Sequence, residues 1–239
     1  MRRTEMRQLA IECRGRLTAG DVEGALSRLL PVLEARTPFS LLNLAGQIAA
    51  EAAATHPMAF ATLLDGLGAS GEVGAWPLIG SALAAAYLRH DLPCAFAEAR
   101  RYILQVGVWH ATDAISERIL GEGLRVDFEA ALAILRAWRR EASPWLRRAV
   151  GVAVHYYVKR ERRQPGRVSR LLELLEPLFE ERDMAALKGV GWGLKTIGKF
   201  YPILLVPWLR AQMATRNPRR LMLRKTTAYL PAEVKAELL

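Results

Sequence analysis

Phe128-Glu129-Ala130-Ala131-Leu132-Ala133-Ile134-Leu135 is the stretch that decides the fold class. Its apolar residues recur at intervals of three and four, which places them on one face of an α-helix. Comparable stretches begin at Phe60, Leu171 and Ile203, and each has the pattern of the second helix of a helix pair. We therefore predict an all-α protein in which helix pairs recur along the chain.

The recurrence of these pairs predicts the architecture. Helical repeats of about 35 to 47 residues are typical of HEAT and armadillo solenoids, in which a pair buries its apolar face only by stacking on its neighbours. The spacing is irregular here, so we predict degenerate HEAT-like repeats. The expected fold is a right-handed α-solenoid of antiparallel helix pairs with a concave basic groove, and we expect residues 1–239 to form one such domain.

Helix boundaries are predicted from capping residues and prolines. The first helices are expected over Glu5–Leu17, Asp21–Ala35 with Asp21 as its N-cap, and Pro38–Thr55. Prolines mark further helix starts at Pro57, Pro77, Pro93, Pro144, Pro202, Pro218 and Pro231. Two segments rich in β-branched residues, Val150–Tyr157 and Tyr201–Val206, are short and flanked by helix formers, so we predict no sheet.

The net charge of +10 is concentrated in one part of the chain. Residues 1–100 carry 9 Lys/Arg against 10 Asp/Glu, whereas residues 101–239 carry 25 against 14. Within residues 138–225 the balance is 20 against 7, a net charge of +13. A one-sided excess of positive charge favours a polyanion as the partner.

Other features of the sequence exclude several classes of protein. Cys13 and Cys94 predict two free buried thiols in a reducing cytoplasm. The first residues are too charged for a signal peptide, and no apolar run reaches the ~18 residues of a membrane span. We expect a cytoplasmic, nucleoid-associated protein. The four histidines, His56, His90, His110 and His155, are widely separated in the sequence, so we predict no metal site. The sequence contains no nucleotide-binding glycine motif, so we expect no cofactor.

Two basic clusters are candidate DNA contacts. The first, Lys159–Arg167, contains Arg160, Arg162 and Arg163 and ends in Pro165-Gly166-Arg167, which predicts a loop. It is either a solvated turn, as charge runs usually are, or a phosphate-contacting loop. The second surrounds Pro218 and comprises Arg216, Arg219, Arg220, Arg224 and Lys225. It places guanidinium groups at a predicted helix N-terminus, where backbone N–H groups also favour anions.

Three further motifs contain the candidate catalytic residues. Trp109 and Asp113 are four residues apart, so they share a face if they lie on one helix. Ser143-Pro144 predicts a helix start one turn before Arg148. Trp192 lies among Gly189, Gly191 and Gly193, and three glycines weaken a helix by about 1 kcal/mol each. A close approach of another backbone is one way to compensate.

On these motifs the chain resembles the AlkD-like DNA alkylation repair glycosylases, a bacterial HEAT-like repeat family. The resemblance rests on Trp109-His110-Ala111-Thr112-Asp113, Trp145-Leu146-Arg147-Arg148-Ala149 and Gly189-Val190-Gly191-Trp192-Gly193-Leu194-Lys195. It covers residues 101–230, which would hold the catalytic and DNA-binding repeats. Residues 1–100 match only in being helical.

The resemblance implies a role for each residue of these motifs. Asp113 would be the catalytic carboxylate, and Trp109 and Trp192 would be aromatic faces against the deoxyribose of the lesion. Arg148 would contact a phosphate. The family often has Ser-Val where this chain has Ala111-Thr112, and an arginine where it has Lys195, which keeps the charge but loses the bidentate fork. The expected DNA-binding residues are Arg147, Arg148, Arg160, Arg162, Arg163, Lys195, Arg216, Arg219 and Arg220.

The implied activity is excision of positively charged N3- or N7-alkylated purines from double-stranded DNA, without metal or cofactor. Such a base leaves without a general acid, so the enzyme must stabilise an oxocarbenium-like sugar and position a water, which one carboxylate can do. The family is thought to act while the base stays stacked. We expect a monomer, because an asymmetric duplex in one groove needs no symmetry mate.

Two alternatives stay open. A non-catalytic HEAT-like protein could use the same groove to bind bent, branched or damaged DNA, but it has no reason to place a carboxylate facing phosphates. A protein-binding scaffold does not explain the basic segment.

Overall fold

The computed structural model describes residues 1–238, and in that range the regular structure is helical throughout. The first seven helices are α1 Arg3–Thr18, α2 Val22–Glu34, α3 Phe39–Ala49, α4 Pro57–Ala69, α5 Ala75–Tyr87, α6 Leu92–Val106 and α7 Trp109–Ile115. The others are α8 Glu122–Val126, α9 Phe128–Trp138, α10 Pro144–Arg160, α11 Pro165–Leu175, α12 Met184–Phe200, α13 Pro202–Met213, α14 Arg220–Thr226 and α15 Ala232–Leu238. A π-helical turn, Ser116–Gly121, separates α7 from α8.

The chain divides into two compact units, Met1–Ile119 and Leu120–Leu239, called unit 1 and unit 2 below. In unit 1, α3 packs between α1 and α5, α5 packs on α7, and α2 packs on α4. In unit 2, α10 packs between α8 and α12, α12 packs on α14, and α11 contacts α9 and α13. This packing of alternate helices confirms the prediction of an all-α fold of the solenoid type. The right-handed path, the concave groove and the single domain stay predictions.

Aspartates and prolines begin most of these helices, as the sequence predicted. The Asp21 carboxylate accepts from the Gly24 N–H at 2.8 Å, and Asp183 accepts from the Ala185 N–H at 2.8 Å. These bonds satisfy backbone donors that the first turn leaves without a partner. Prolines stand in the first turn of α4, α6, α10, α11 and α13.

Several predicted boundaries were wrong. Pro77 is the third residue of α5, and Pro218 lies two residues before α14. The third helix ends at Ala49 and continues only as a 3-10 turn to Ala52. The predicted loop Lys159–Arg167 is reduced to residues 161–164, because α10 runs to Arg160 and Pro165 starts α11. Pro165 begins α11 and does not break α10, because the fixed φ of proline suits the first position of a helix.

Each unit has its own apolar core. In unit 1, Trp76 meets Tyr102 edge to face with 6.4 Å between ring centroids. In unit 2, α10 and α12 each contribute completely buried apolar side chains, including Leu146, Val150 and Leu194. Cys13 and Cys94 are free thiols as predicted, although only Cys13 is buried, which raises the pKa of its thiol to about 11.

Candidate functional site

The candidate carboxylate and the first candidate aromatic face lie on α7 in unit 1. α6 ends at Val106 and is capped by Gly107, whose φ of 59° is the left-handed conformation that glycine adopts at low cost. α7 starts two residues later with Trp109, and Asp113 follows one turn further. The opposite face of α7 is anchored by Ala111, Thr112 and Ile115, all of which are buried.

Trp109 stands out because its side chain is 61% exposed. Its indole meets the His110 imidazole edge to face at 5.6 Å. Asp113 lies four residues later on the same helix, so the two residues share a face of α7, as their spacing predicted. Asp113 is only partly exposed, so less of it reaches solvent. An exposed tryptophan offers a large flat apolar surface to a ligand.

A seam of glycines joins α10 to α12 in unit 2. A Cβ placed on Gly151 would lie 2.3 Å from the carbonyl carbon and oxygen of Gly189, and one on Gly193 would lie 2.7 Å from the Gly151 oxygen. The two backbones are therefore in direct contact. The weak helix propensity of this stretch of α12 is compensated by close backbone packing, as the sequence suggested.

Trp192 occupies the exposed side of α12, beside this seam. Lys188, Trp192, Lys195 and Lys199 are spaced at i, i+4, i+7 and i+11, which aligns them in one stripe along the helix. We call it the α12 stripe. The Trp192 indole stacks on the His155 imidazole of α10 with 3.8 Å between ring centroids and 24° between ring planes. The second candidate aromatic face therefore lies between lysines and is backed by a second ring.

Cations from two neighbouring helices complete the surface around Trp192. Arg148 of α10 is 6% exposed, its stem packs against Gly189, and its Nη1 donates to the Ala185 carbonyl at 3.1 Å. Lys225 of α14 packs its stem against Gly191. Burial lowers the pKa of Lys225, and the nearby charges of Lys195, Lys188 and Arg148 lower it further. Four positive charges thus lie close together.

None of the three lysines in this cluster has an ion-pair partner among residues 1–238. Like charges held together repel one another, and a bound anion relieves that repulsion. We call Arg148, Lys188, Lys195 and Lys225, together with Trp192, the basic face. Its chemistry suits an anion that also offers an apolar surface.

Several arginines that were predicted to bind DNA are engaged within unit 2. Arg147 pairs with Glu181 at 2.6 Å and donates to the carbonyls of Glu141 and Ala142. Arg216 pairs with Glu176 at 2.9 Å and with Glu180 at 3.5 Å. Arg219 is the N-cap residue of α14, and its Nη1 donates to the Arg182 carbonyl at 2.9 Å. These three guanidinium groups connect neighbouring helix pairs.

The remaining predicted arginines are exposed. Arg160 lies over the Tyr156 ring at 4.7 Å, and Arg162 lies over the Phe200 ring at 4.4 Å. Arg163 lies in the short loop after α10, and Arg220 is the first residue of α14. They surround the ends of the helices and are not part of the basic face.

The sequence alone indicated no role for Lys188, Lys199 or His155. The first two could have been identified from their helical spacing to Trp192. His155 could not, because its partner Trp192 is 37 positions away and only the packing of α10 on α12 joins them.

The structure offers no metal cluster within residues 1–238, where no group of three His, Cys, Asp or Glu side chains could hold an ion. None of the helices in that range combines the length and apolar character that a bilayer crossing requires.

Comparison with known proteins gives one match. A family model described as DNA alkylation repair enzyme matches residues 47–230. Searches of curated proteins and of solved structures found no match. The matched range begins in α3, so the expectation that residues 1–100 resemble the family only in being helical was wrong for residues 47–100 and stays a prediction for residues 1–46.

Proposed function

This chain belongs to the DNA alkylation repair enzyme family, and on that premise we propose that it is a DNA glycosylase. It excises positively charged N3- or N7-alkylated purines from duplex DNA by hydrolysing the N-glycosidic bond. Family membership itself supports a role in DNA alkylation repair; the bond that is cleaved and the lesions that are removed belong to the proposal.

The basic face is the observation that carries the proposal. A duplex presents phosphates at regular intervals, with deoxyribose rings between them. Lys188 and Lys195, which form no ion pair within the described residues, flank Trp192 and match this alternation of charge and apolar surface. Contacts to phosphate and sugar fix the position of DNA without reading its sequence. A repair enzyme that must act in any sequence context needs contacts of this kind.

Asp113 is the proposed catalytic carboxylate. An N3- or N7-alkylated purine already carries a positive charge, so the glycosidic bond breaks without protonation of the leaving base. Positive charge then develops on the deoxyribose, and a carboxylate stabilises it and orients the attacking water. The water adds to C1′ and loses a proton, and the free base leaves with the bonding electrons.

Trp109 and Trp192 are the proposed aromatic faces. The π-system of an indole attracts a cation by about 0.5 to 2 kcal/mol, depending on how far the pair is desolvated. The exposure of Trp109 supports this role, because burying so large an apolar surface against DNA is favourable.

The arginines and lysines are proposed to have two different roles. Arg148, Lys188, Lys195 and Lys225 contact phosphates, and the exposed Arg160, Arg162, Arg163 and Arg220 add weaker contacts further away. Arg147 and Arg216 mainly hold the helix pairs of unit 2 in place, because carboxylates already neutralise their guanidinium groups. Arg219, which donates to the Arg182 carbonyl, adds to this role. The protein acts as a monomer on nucleoid DNA in the cytoplasm.

A single-turnover excision assay tests the proposal. Excess protein is mixed with a duplex that carries one N7-methylguanine, and the wild type is compared with Asp113→Asn. We expect base release by the wild type only. Duplex binding by the variant should be kept or tightened, since a negative charge has been removed. Tight binding by both proteins without release by either would favour the alternative, a non-catalytic protein that binds bent, branched or damaged DNA.

A further inference from the structure

The stacked pair of His155 and Trp192 is a consequence of the glycine seam. His155 is one helical turn after Gly151, and Trp192 lies between Gly191 and Gly193. Because the backbones of α10 and α12 touch at Gly151 and Gly189, side chains one turn away are brought within ring-stacking distance. His155 is only 7% exposed, so its imidazole forms a buried layer beneath the indole.

Hydrogen bonds fix the orientation of this imidazole. The Thr196 hydroxyl donates to the Trp192 carbonyl at 2.9 Å, which uses its only proton. The His155 Nδ1 lies 2.6 Å from the same hydroxyl oxygen, so Nδ1 carries a proton and donates to it. The Thr196 hydroxyl therefore links the imidazole of His155 to the backbone carbonyl of Trp192, the residue on which that imidazole stacks.

The imidazole is also neutral. Burial lowers the pKa of His155 to about 4, with smaller contributions from Lys159 on its own helix and Lys195 on α12. A neutral ring stacks on an indole without adding a fifth positive charge to the basic face.

The sequence around Trp192 explains why the indole needs such support. Of the positions one turn from Trp192 on its own helix, Gly189 has no side chain and Lys188 is exposed, so α12 itself gives the indole little support. An unsupported indole would change rotamer freely. Each interaction with the sugar would then have to offset the entropy of fixing the ring.

We propose that His155 is a positioning residue, whose imidazole backs one face of Trp192 and holds the indole plane in which it meets the deoxyribose of the damaged nucleotide. Only the contact between the indole and the deoxyribose rests on the proposed function. The support of the indole by His155 is a property of the free protein and is testable by itself.

The first measurement is the accessibility of Trp192 to acrylamide. The chain has 6 tryptophans, so the emission of Trp192 is obtained as the difference between each protein and the same protein carrying Trp192→Phe. We expect His155→Ala to increase quenching of this emission, because one face of the indole loses its cover. His155→Phe keeps a flat ring at the position and should restore the protection. Equal quenching of the wild type and His155→Ala would overturn the proposal.

The second measurement is excision of N7-methylguanine under single-turnover conditions. His155→Ala should slow release by about tenfold to hundredfold, as small misplacements of positioning groups do. The salt dependence of duplex binding should stay unchanged, because the lysines set it. His155→Phe should recover most of the rate, and Thr196→Val should give an intermediate rate.

The outcomes separate the two proposals. Suppose that His155→Ala loses excision only in proportion to the fraction of protein that is unfolded, and that His155→Phe fails to restore the rate. This pair of results would show that His155 only stabilises the fold and would refute its role as a positioning residue. If the wild type releases no base at all, the glycosylase proposal fails, and the quenching data alone decide whether His155 holds Trp192.

Discussion

Replacing Gly151 with alanine perturbs the seam on which the basic face depends. The new Cβ would lie 2.3 Å from the carbonyl carbon and oxygen of Gly189 and 2.4 Å from the Val190 nitrogen. All three are backbone atoms of α12, so no side-chain rotation relieves the contact. Carbon atoms pack best at about 3.5 to 4.0 Å, and α10 and α12 must therefore separate by about 1 Å.

Two effects of opposite sign decide the magnitude. In an unobstructed helix, alanine is favoured over glycine by about 1 kcal/mol. Overpacking a core typically costs about 1 to 3 kcal/mol and occasionally more, and a contact with rigid backbone belongs at the upper end. We expect Gly151→Ala to lower the free energy of unfolding by about 2 kcal/mol, or the melting temperature by about 4 to 8 °C for a chain of this size.

Thermal and urea unfolding followed by circular dichroism measure this effect, with Gly15→Ala as the matched control. Gly15 lies inside α1, and a Cβ there meets no atom within 4 Å. The control should be stabilised by up to about 1 kcal/mol, since only helix propensity changes. If Gly151→Ala is as stable as the control, the backbones of α10 and α12 are not in contact and the explanation of the three glycines fails.

Three further predictions concern charge. Lys188→Gln and Lys195→Gln should each weaken duplex binding and reduce the slope of log K against log salt by about 0.9, measured by anisotropy titrations. Arg210→Gln, which removes an exposed arginine paired with Glu237, should leave the slope unchanged. Arg147→Gln should keep the slope but lower the free energy of unfolding by about 3 kcal/mol in urea titrations. The reason is that it leaves Glu181 without its ion-pair partner in a mostly buried site. A reduced slope would instead make Arg147 a DNA contact. Burial lowers the pKa of His155 from 6.5 to about 4, so between these pH values the unfolded chain binds a proton at His155 that the folded chain does not. The free energy of unfolding should therefore fall by up to about 3 kcal/mol as the pH drops through this window. His155→Phe should flatten this part of the pH profile, and an unchanged profile would show that His155 is not buried neutral.

The sequence predicted those features that depend on neighbouring residues in the chain. Asp21 caps α2, and Ser143-Pro144 begins α10, because capping is decided within a few residues. Trp109 and Asp113 share a face of α7 because of their spacing. The glycines around Trp192 indicated a close backbone approach, although not which helix makes it.

Features that depend on distant partners could not be predicted. Arg147 and Arg148 are adjacent and have the same chemistry, yet Arg147 pairs with Glu181 and Arg148 belongs to the basic face. Their roles differ because successive positions on a helix point about 100° apart and meet different neighbours. The stack of His155 on Trp192 is equally invisible to local patterns.

The extent of the family match shows a similar limit. The resemblance to the family was visible over residues 101–230, where tryptophans, an aspartate and arginines stand at characteristic positions. The match extends to residue 47. The additional helices consist mainly of alanine, leucine and glycine that fill the core of unit 1, and an apolar pattern of that kind is shared by many helical proteins.

The central claim is that the protein hydrolyses glycosidic bonds that the positive charge of the base has already weakened. The most direct measurement compares two duplexes of one sequence under single-turnover conditions, one with a single N7-methylguanine and the other with its uncharged 7-deaza isostere at the same position. Both lesions place a methyl group at the same point of the major groove, so only the charge differs. We predict release of free N7-methylguanine and none of the isostere, with similar binding of both duplexes. Failure to release N7-methylguanine, or equal release of the two bases, would contradict the account.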